Sequence, residues 1–237
     1  MGQKKNGTKR KARLLVADDH PLIREGLKRI IGLQADLELC GEAQSVNDVL
    51  ETVAAKKPDL LLLDLHLGSG DGLELIKSLK ASFPTLHILV LSQLDETVYA
   101  ERTLRAGAQG FIMKEQPPAE VLNAIRVVLG GQLYVGQRLA AIALHKMLGQ
   151  RPHKGTNHGH DVDKLTDREL QIFHLLGVEL GVKKIAGELN LSVKTVETHR
   201  ENIKHKLGFQ SAAELARHAT KWVRRKVESS APISPAG

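Results

Sequence analysis

A chain of 237 residues is long enough for two ordinary domains, and 42% hydrophobic with 26% charged residues excludes wholesale disorder. No apolar run reaches membrane-span length and the N-terminus has no secretory-type segment, so a cytoplasmic protein without membrane contact is expected. The single Cys40 cannot close an internal disulfide, which fits the same reducing compartment. The net charge of +7 is unevenly spread. Residues 1–13 carry six Lys/Arg and no acid, residues 14–130 carry 11 against 17 acids, and residues 131–237 carry 17 against 10. An acidic first domain followed by a basic second one points to separate tasks, with the second facing nucleic acid.

Residues 1–12 read as a disordered basic arm. Over 13–130, short apolar runs alternate with amphipathic helices. Strands are predicted at Leu14–Ala17, Leu37–Gly41, Leu60–Leu63, His87–Leu91 and Gly110–Met113. The intervening helices are predicted at about Pro21–Leu33, Val46–Ala55, Leu73–Ser82, Glu96–Ala106 and Pro117–Leu129. Ser45 and Asp95 stand where N-caps belong, and Gly107 falls just past a helix end. Five such units predict an α/β fold, a doubly wound five-stranded parallel sheet with helices on both faces. Residues 131–163 read as a helical extension holding Tyr134, Leu139 and Leu144, then a linker whose His153, His158 and His160 are solvated. Residues 164–226 predict a small all-α domain, and 227–237 a disordered tail.

The chemistry gathers where the strands stop. Leu61-Leu62-Leu63 runs into Asp64, and Leu14-Leu15-Val16-Ala17 runs into Asp18-Asp19. Open α/β sheets place their ligands at the carboxyl ends of strands. Three carboxylates packed together repel by several kcal/mol unless a cation stands among them, and Mg²⁺ suits a site completed by water and phosphate oxygens. Such a site serves phosphoryl transfer, with Asp64 as nucleophile forming an acyl phosphate. Ser92 and Lys114 close the next two strands, a hydroxyl and an ammonium able to meet a phosphoryl oxygen.

Asp18-Asp19, Asp64 with Gly72 eight residues on, Ser92 and Lys114 together resemble the receiver domain of two-component response regulators. The stretch from Tyr99 to Lys114 resembles the NarL/FixJ-type branch. The resemblance implies a flavodoxin-like fold and a histidine kinase that phosphorylates Asp64. It also implies Mg²⁺ held by Asp19, Asp64 and the backbone carbonyl of His66, with Asp18 acting through water. Phe111 falls on the family's switch aromatic, expected to move inward as Ser92 turns toward the phosphate. Where the family commonly has Met-Pro after the phosphorylated Asp, this chain has Leu67-Gly68, and Gln93 follows the switch hydroxyl.

In the basic domain, Thr166 and Glu169 have capping-box spacing ahead of Leu170, Phe173 and Leu176. Val182–Leu189 predicts a short helix with Ile185 and Leu189 inward and Lys183 and Lys184 outward. Asn190-Leu191-Ser192 forms a turn, and Ser192 caps Val193–Leu207, whose Val196, Ile203 and Leu207 face the core. Two short helices joined by a tight turn fit helix-turn-helix docking in a major groove. The motifs Thr166-x-Arg168-Glu169, Ser192-x-x-Thr195-Val196-x-x-His199 and Ile203-x-x-Lys206-Leu207 resemble the LuxR-type helix-turn-helix. That resemblance implies contact with double-stranded DNA through Lys183, Lys184, Lys194, Thr195, Glu197, Thr198, Arg200, Glu201 and Lys204. Glu197, Thr198 and Glu201 stand where the family reads bases. Glu179 occupies the place of the Gly that usually ends the first helix. Ser211–Trp222, including Leu215, matches the family's dimerisation helix, so a homodimer is expected when the chain is phosphorylated or DNA-bound.

The expected protein is a DNA-binding transcriptional regulator of a two-component phosphorelay. It is not expected to be an enzyme beyond its own phosphorylation and slow dephosphorylation. The rival readings are a phosphorylation-independent DNA-binding adaptor and an aspartate-nucleophile phosphatase.

Overall fold

In the computed structural model, the described residues are 10–68, 71–93, 96–136, 139–141, 162–189 and 191–228. The chain divides into two compact units, Met1–His153 and Lys154–Gly237. Predictions that fall on Asp95, Leu144, the linker histidines or Asn190 lie outside the described residues.

The first unit is built on five strands, β1 Ala12–Ala17, β2 Leu37–Ala43, β3 Leu60–Leu63, β4 His87–Ser92 and β5 Gly110–Met113. They form an all-parallel sheet in the order β2-β1-β3-β4-β5, the flavodoxin-like arrangement. Between and after the strands run α1 Pro21–Gly32, α2 Val46–Lys56, α3 Gly72–Ser82, α4 Glu96–Ala106 and α5 Pro118–Leu129.

Side-chain alternation divides the core. Leu14, Val16, Leu60, Leu62, Leu89 and Leu91 pack with Leu27 and Ile31 of α1 and with Val121, Ile125 and Val128 of α5. The alternate residues Leu15, Leu61, Leu63, Ile88 and Val90 are buried too and point to the opposite face. This is why β3 can be four leucines in a row, none more than 1% exposed. At roughly 1.5–3 kcal/mol per buried side chain, this strand anchors the sheet.

Three expectations are corrected. Residues 131–136 are not helical. Tyr134 forms a parallel bridge to Gly110, its N–H donating to Gln109 O and its carbonyl accepting from Phe111 N–H. The β5 edge has unpaired backbone groups, and pairing them outweighs a weak helical pattern. Arg10 does not belong to an unstructured arm, because its guanidinium meets both oxygens of Asp59 at 2.6 and 2.8 Å. The last helix runs to Glu228, past the point where a tail was expected.

The second unit holds a 3₁₀ turn at Val162–Lys164 and four helices: α6 Asp167–Gly177, α7 Val182–Glu188, α8 Val193–Leu207 and α9 Ala212–Glu228. Thr166 and Glu169 close a complete capping box on α6. Gly177 has no room for a side chain, since a Cβ there would stand 2.4 Å from Val223 Cγ2 and 2.6 Å from Ala219 O. Its absence lets α9 lie against α6.

The end of α6 is unusual. Leu180 N–H donates to Leu175 O and Glu179 N–H to Leu176 O, the Schellman pattern, with Glu179 in the left-handed position at φ 63°. At the end of α8 the equivalent position is Gly208, at φ 73°. A side chain at such a φ costs about 1–2 kcal/mol. Glu179→Gly is therefore expected to raise the melting temperature of the second unit by a few degrees in calorimetry of the full chain. Gly177→Ala is expected to lower it, by about 1–3 kcal/mol of stability.

Candidate functional site

Parallel pairing of β1 with β3 sets Ala17 beside Leu63, so the next residues on each strand, Asp18 and Asp64, emerge side by side. This is the crevice where strand order reverses, at the sheet's carboxyl end. Both acids are buried, at 1% and 3% exposure, while Asp19 is partly exposed. Lys114, one residue past β5, reaches in with its side chain 4% exposed. Its Nζ donates to Asp64 Oδ2 at 2.8 Å and lies 2.6 Å from Asp18 Oδ2.

Burial pulls the Lys114 pKa down, but the charges of Asp64 and Asp18 and the close approach of both carboxylates to the ammonium outweigh it. The ammonium is held above its ordinary 10.5. One cation thus bridges two buried carboxylates and leaves the trio with a net negative charge.

Backbone groups fix the rest. His66 N–H donates to Asp64 Oδ1 at 3.1 Å, His20 N–H to Asp18 Oδ1 at 2.9 Å and Gly68 N–H to Asp19 Oδ2 at 3.3 Å. Lys114 N–H donates to Ser92 O, placing the amine and the buried hydroxyl on adjoining strands. Phe111 is fully buried. A Cβ at Gly72 would stand 2.7 Å from Leu65 O and 2.8 Å from Leu65 Cα, so only glycine lets α3 start this close to the residue after Asp64. Asp71 caps that helix, accepting from Leu73 and Glu74 N–H.

The donor set fits a hard divalent cation. Ligand atoms of Asp18, Asp19, His20 and Asp64 all lie within 4.8 Å of one another. Asp18 Oδ2 and Asp19 Oδ1 are buried yet accept no aligned hydrogen bond, although Lys114 Nζ and His20 Nδ1 stand 2.6 and 2.8 Å from them. Carboxylate oxygens with spare lone pairs, close together at a strand end, are what a cation such as Mg²⁺ needs.

Two residues of this site were not found by reading the sequence. His20 contacts both aspartates, at 3.3 Å to Asp18 Oδ1 and 2.8 Å to Asp19 Oδ1, and its position directly after the acid pair was the available signal. Arg24 is 7% exposed, donates to Asp18 O at 2.6 Å and approaches Glu42 at 3.6 Å. It occupies the same helix stripe as Leu27 and Ile31, and an arginine on an apolar stripe signals a buried acceptor.

In the second unit, Ser192 Oγ accepts from Thr195 N–H at 3.0 Å and starts α8. Val196, Ile203 and Leu207 turn inward, while Lys183, Lys184, Lys194, Glu197, Thr198 and Glu201 are exposed. Thr195, Arg200 and Lys204 are half-buried. Four of these side chains already have partners: Thr195 Oγ1 lies 2.7 Å from Ser192 Oγ, Thr198 Oγ1 donates to Lys194 O, and Lys204 pairs with Glu201.

Of the residues expected at a dimer contact, Leu215 is 0% exposed and packs in the unit's own core, while Trp222 is half-buried and stands edge-on to Phe173 at 5.5 Å. Ser211 remains exposed, its Oγ accepting from Glu214 N–H.

Glu169 is 3% exposed and accepts from Lys206 Nζ at 2.6 Å. Burial alone would raise its pKa, but hydrogen bonds from Lys206 and Thr166 with the charge of Lys206 bring it below the ordinary 4.5.

Comparison with known proteins follows the same division. Residues 14–126 match the family model described as response regulator receiver domain, and residues 163–219 the one described as bacterial regulatory proteins, luxR family. The oxygen regulatory protein NreC of Staphylococcus aureus (strain MRSA252) is 36% identical over 210 residues, 88% of this chain and 97% of NreC. A response regulator, RcsB of Salmonella typhimurium, has a similar fold, with TM-score 0.61, 22% identity and coverage of 90% of this chain and 98% of that one. A LuxR-family two-component response regulator from Aurantimonas sp. SI85-9A1 matches at TM-score 0.55 and 26% identity, covering 58% of this chain and 99% of that one.

Two outcomes follow from these contacts. Lys114→Met strands two buried carboxylates and is expected to destabilise the first unit by about 3–5 kcal/mol. Added Mg²⁺ should recover part of that loss in thermal melts. For Glu169 the folded pKa is depressed, so its contribution is full above about pH 4.5 and is lost as pH falls through the lower folded value. Melting curves taken from neutral to acid pH should therefore fall less steeply for Glu169→Gln than for wild type.

Proposed function

We propose how this chain works from a plain premise: it belongs to the response regulators in which a receiver domain precedes a LuxR-type DNA-binding domain. It is a transcription regulator of the two-component kind, and its switch is phosphorylation of Asp64. The observation that carries this reading is the Asp18–Lys114–Asp64 bridge at the β1/β3 crevice.

In the resting chain, the Lys114 ammonium compensates two acids. A histidine kinase presents a phosphohistidine, and an Asp64 carboxylate oxygen attacks its phosphorus in line. An O–P bond forms as the N–P bond breaks, and the electron pair leaves on the imidazole nitrogen, which takes a proton. Asp18, Asp19 and Asp64, with the carbonyl of His66, are the residues to hold Mg²⁺. When bound it supplies neutralisation between an anionic nucleophile and an anionic donor. The product carries about −1.5 to −2 charge in place of one carboxylate. Lys114 then pairs with a phosphoryl oxygen, Ser92 donates its hydroxyl to another, and Phe111 follows on the same sheet edge. No turnover beyond phosphorylation and slow hydrolysis of this aspartyl phosphate is proposed.

The output is double-stranded DNA, read by α8 with phosphate contacts from Lys183, Lys184, Lys194 and Lys204. Support comes from the exposed basic face around a Ser192-capped helix. RcsB, which shares the fold, has been captured on promoter DNA in the presence of phosphomimetic BeF₃⁻. The activated chain pairs as a homodimer. Since Leu215 is committed to the core, the exposed side of α9, with Arg217, the preceding Ser211 and the half-buried Trp222, is left for that contact.

Acetyl phosphate with Mg²⁺ should add one phosphoryl mass to the wild type and none to Asp64→Asn. Affinity for a duplex enriched from a random-sequence library should rise about 5- to 150-fold on phosphorylation, the usual span of allosteric coupling. A response to acetyl phosphate that survives Asp64→Asn would remove the switch, and sustained phosphomonoester turnover would favour the phosphatase reading.

A further inference from the structure

We infer that Arg168 and Glu169, neighbours on the first turn of α6, are positioning residues that set the attitude of the DNA-reading helix. This role rests on the DNA-binding function proposed above and deepens it. Two sequence fragments that seemed unrelated, Thr166–Glu169 and Ile203–Leu207, meet in the structure. Lys206 Nζ, from the last turn of α8, donates to Glu169 Oε2 at 2.6 Å. The same oxygen accepts from Thr166 N–H at 2.8 Å, so a single buried carboxylate closes the start of α6 and grips the end of α8. The groups facing it are Lys206 and His199 from α8, and Thr166 at the N-cap of α6.

Arg168 does for α7 what Glu169 does for α8. Its Nη2 donates to Leu189 O at 2.8 Å, and its Nη1 to Oε1 of the buried Gln171 at 2.9 Å. Leu189 is the C-cap of α7, so its carbonyl has no acceptor role inside the helix. The guanidinium also meets the negative end of that helix's dipole. One turn of α6 therefore holds the C-terminal ends of both helices of the helix-turn-helix, and the planar fork of Arg168 sets a direction that a point charge could not.

The lever is long. From Lys206 to Lys194 the axis of α8 spans about 18 Å. The exposed residues Lys194, Glu197, Thr198 and Glu201 lie toward the far end from the grip. A tilt of about 5° at the grip moves that end by about 1.5 Å, enough to lose base contacts that need sub-ångström placement. Phosphate contacts, made by flexible lysines, tolerate such a shift.

The test uses the full-length chain phosphorylated with acetyl phosphate, a duplex enriched by the wild type from a random-sequence library, and a scrambled duplex. Affinities are read by fluorescence anisotropy between about 50 and 200 mM salt. Arg168→Met and Glu169→Gln should each weaken binding to the enriched duplex about tenfold or more. Binding to the scrambled duplex should stay within about twofold, and the slope against log salt should not change. Glu169→Gln is especially discriminating, since removing an acid ought by electrostatics alone to tighten DNA binding. Arg168→Lys, which keeps one donor for Leu189 O but loses the fork that also holds Gln171, should recover only a minor part of the loss. Lys194→Ala, the comparison, should lower the salt slope by about one and weaken both duplexes alike.

A lowered slope for Arg168→Met would make Arg168 a phosphate contact, and an unchanged ratio of the two affinities in both variants would remove the positioning role. Either overturns the inference. Arg168→Met removes a half-buried side chain and leaves the buried Glu169 with its Lys206 partner, so it decides the question even if Glu169→Gln unfolds. Failure of the wild type to enrich any duplex would sink the DNA-binding reading itself, and this role with it.

Discussion

A single buried ammonium makes the first unit possible. Parallel pairing forces Asp18 and Asp64 to surface side by side in a low-dielectric crevice, and without a cation between them the sheet's carboxyl edge would repel itself. Lys114 supplies that cation from the end of β5, so neutralising the site requires β1, β3 and β5 all to be in place. The site is thus coupled to the whole width of the sheet. A change of charge at Asp64 must be answered by Lys114, and Lys114 is tied through its backbone to Ser92 on β4.

The second unit repeats this logic with the signs exchanged. There a buried carboxylate, Glu169, is the hub, and the Lys206 ammonium from α8 and the Thr166 N–H at the start of α6 converge on it. In both units a charged group that would be costly alone in the interior is held by partners on different elements. Its satisfaction then fixes how those elements sit. The apolar cores supply the stability, and these few charged contacts set the geometry that function needs.

Much of this was legible in the chain. Strand alternation and helix stripes are local patterns, so the five strands and most helices stand within a residue or two of expectation. The acids, hydroxyl and amine at the strand ends were visible as apolar runs that stop on polar residues. What could not be read were contacts that depend on which edges the fold leaves open. Tyr134 looked helical because nothing local announces the empty edge of β5. Leu215 sat on a stripe suited equally to a dimer or to a core, and only the closeness of α6, permitted by Gly177, assigned it to the core. Arg24 was hidden because its partner is a backbone carbonyl, which has no sequence signature.

The sequence by itself determined the element types, the strand-end chemistry and the family, because each rests on periodicity or on residues close together along the chain. Tertiary structure alone decided who pairs with whom. Lys114 lies 50 residues from Asp64, and Lys206 lies 37 from Glu169. In each case the chain offers several acids and several bases of equal chemical merit. Selection among them came from desolvation: a carboxylate enclosed by packing loses its water and must be satisfied by the base that the fold brings within reach.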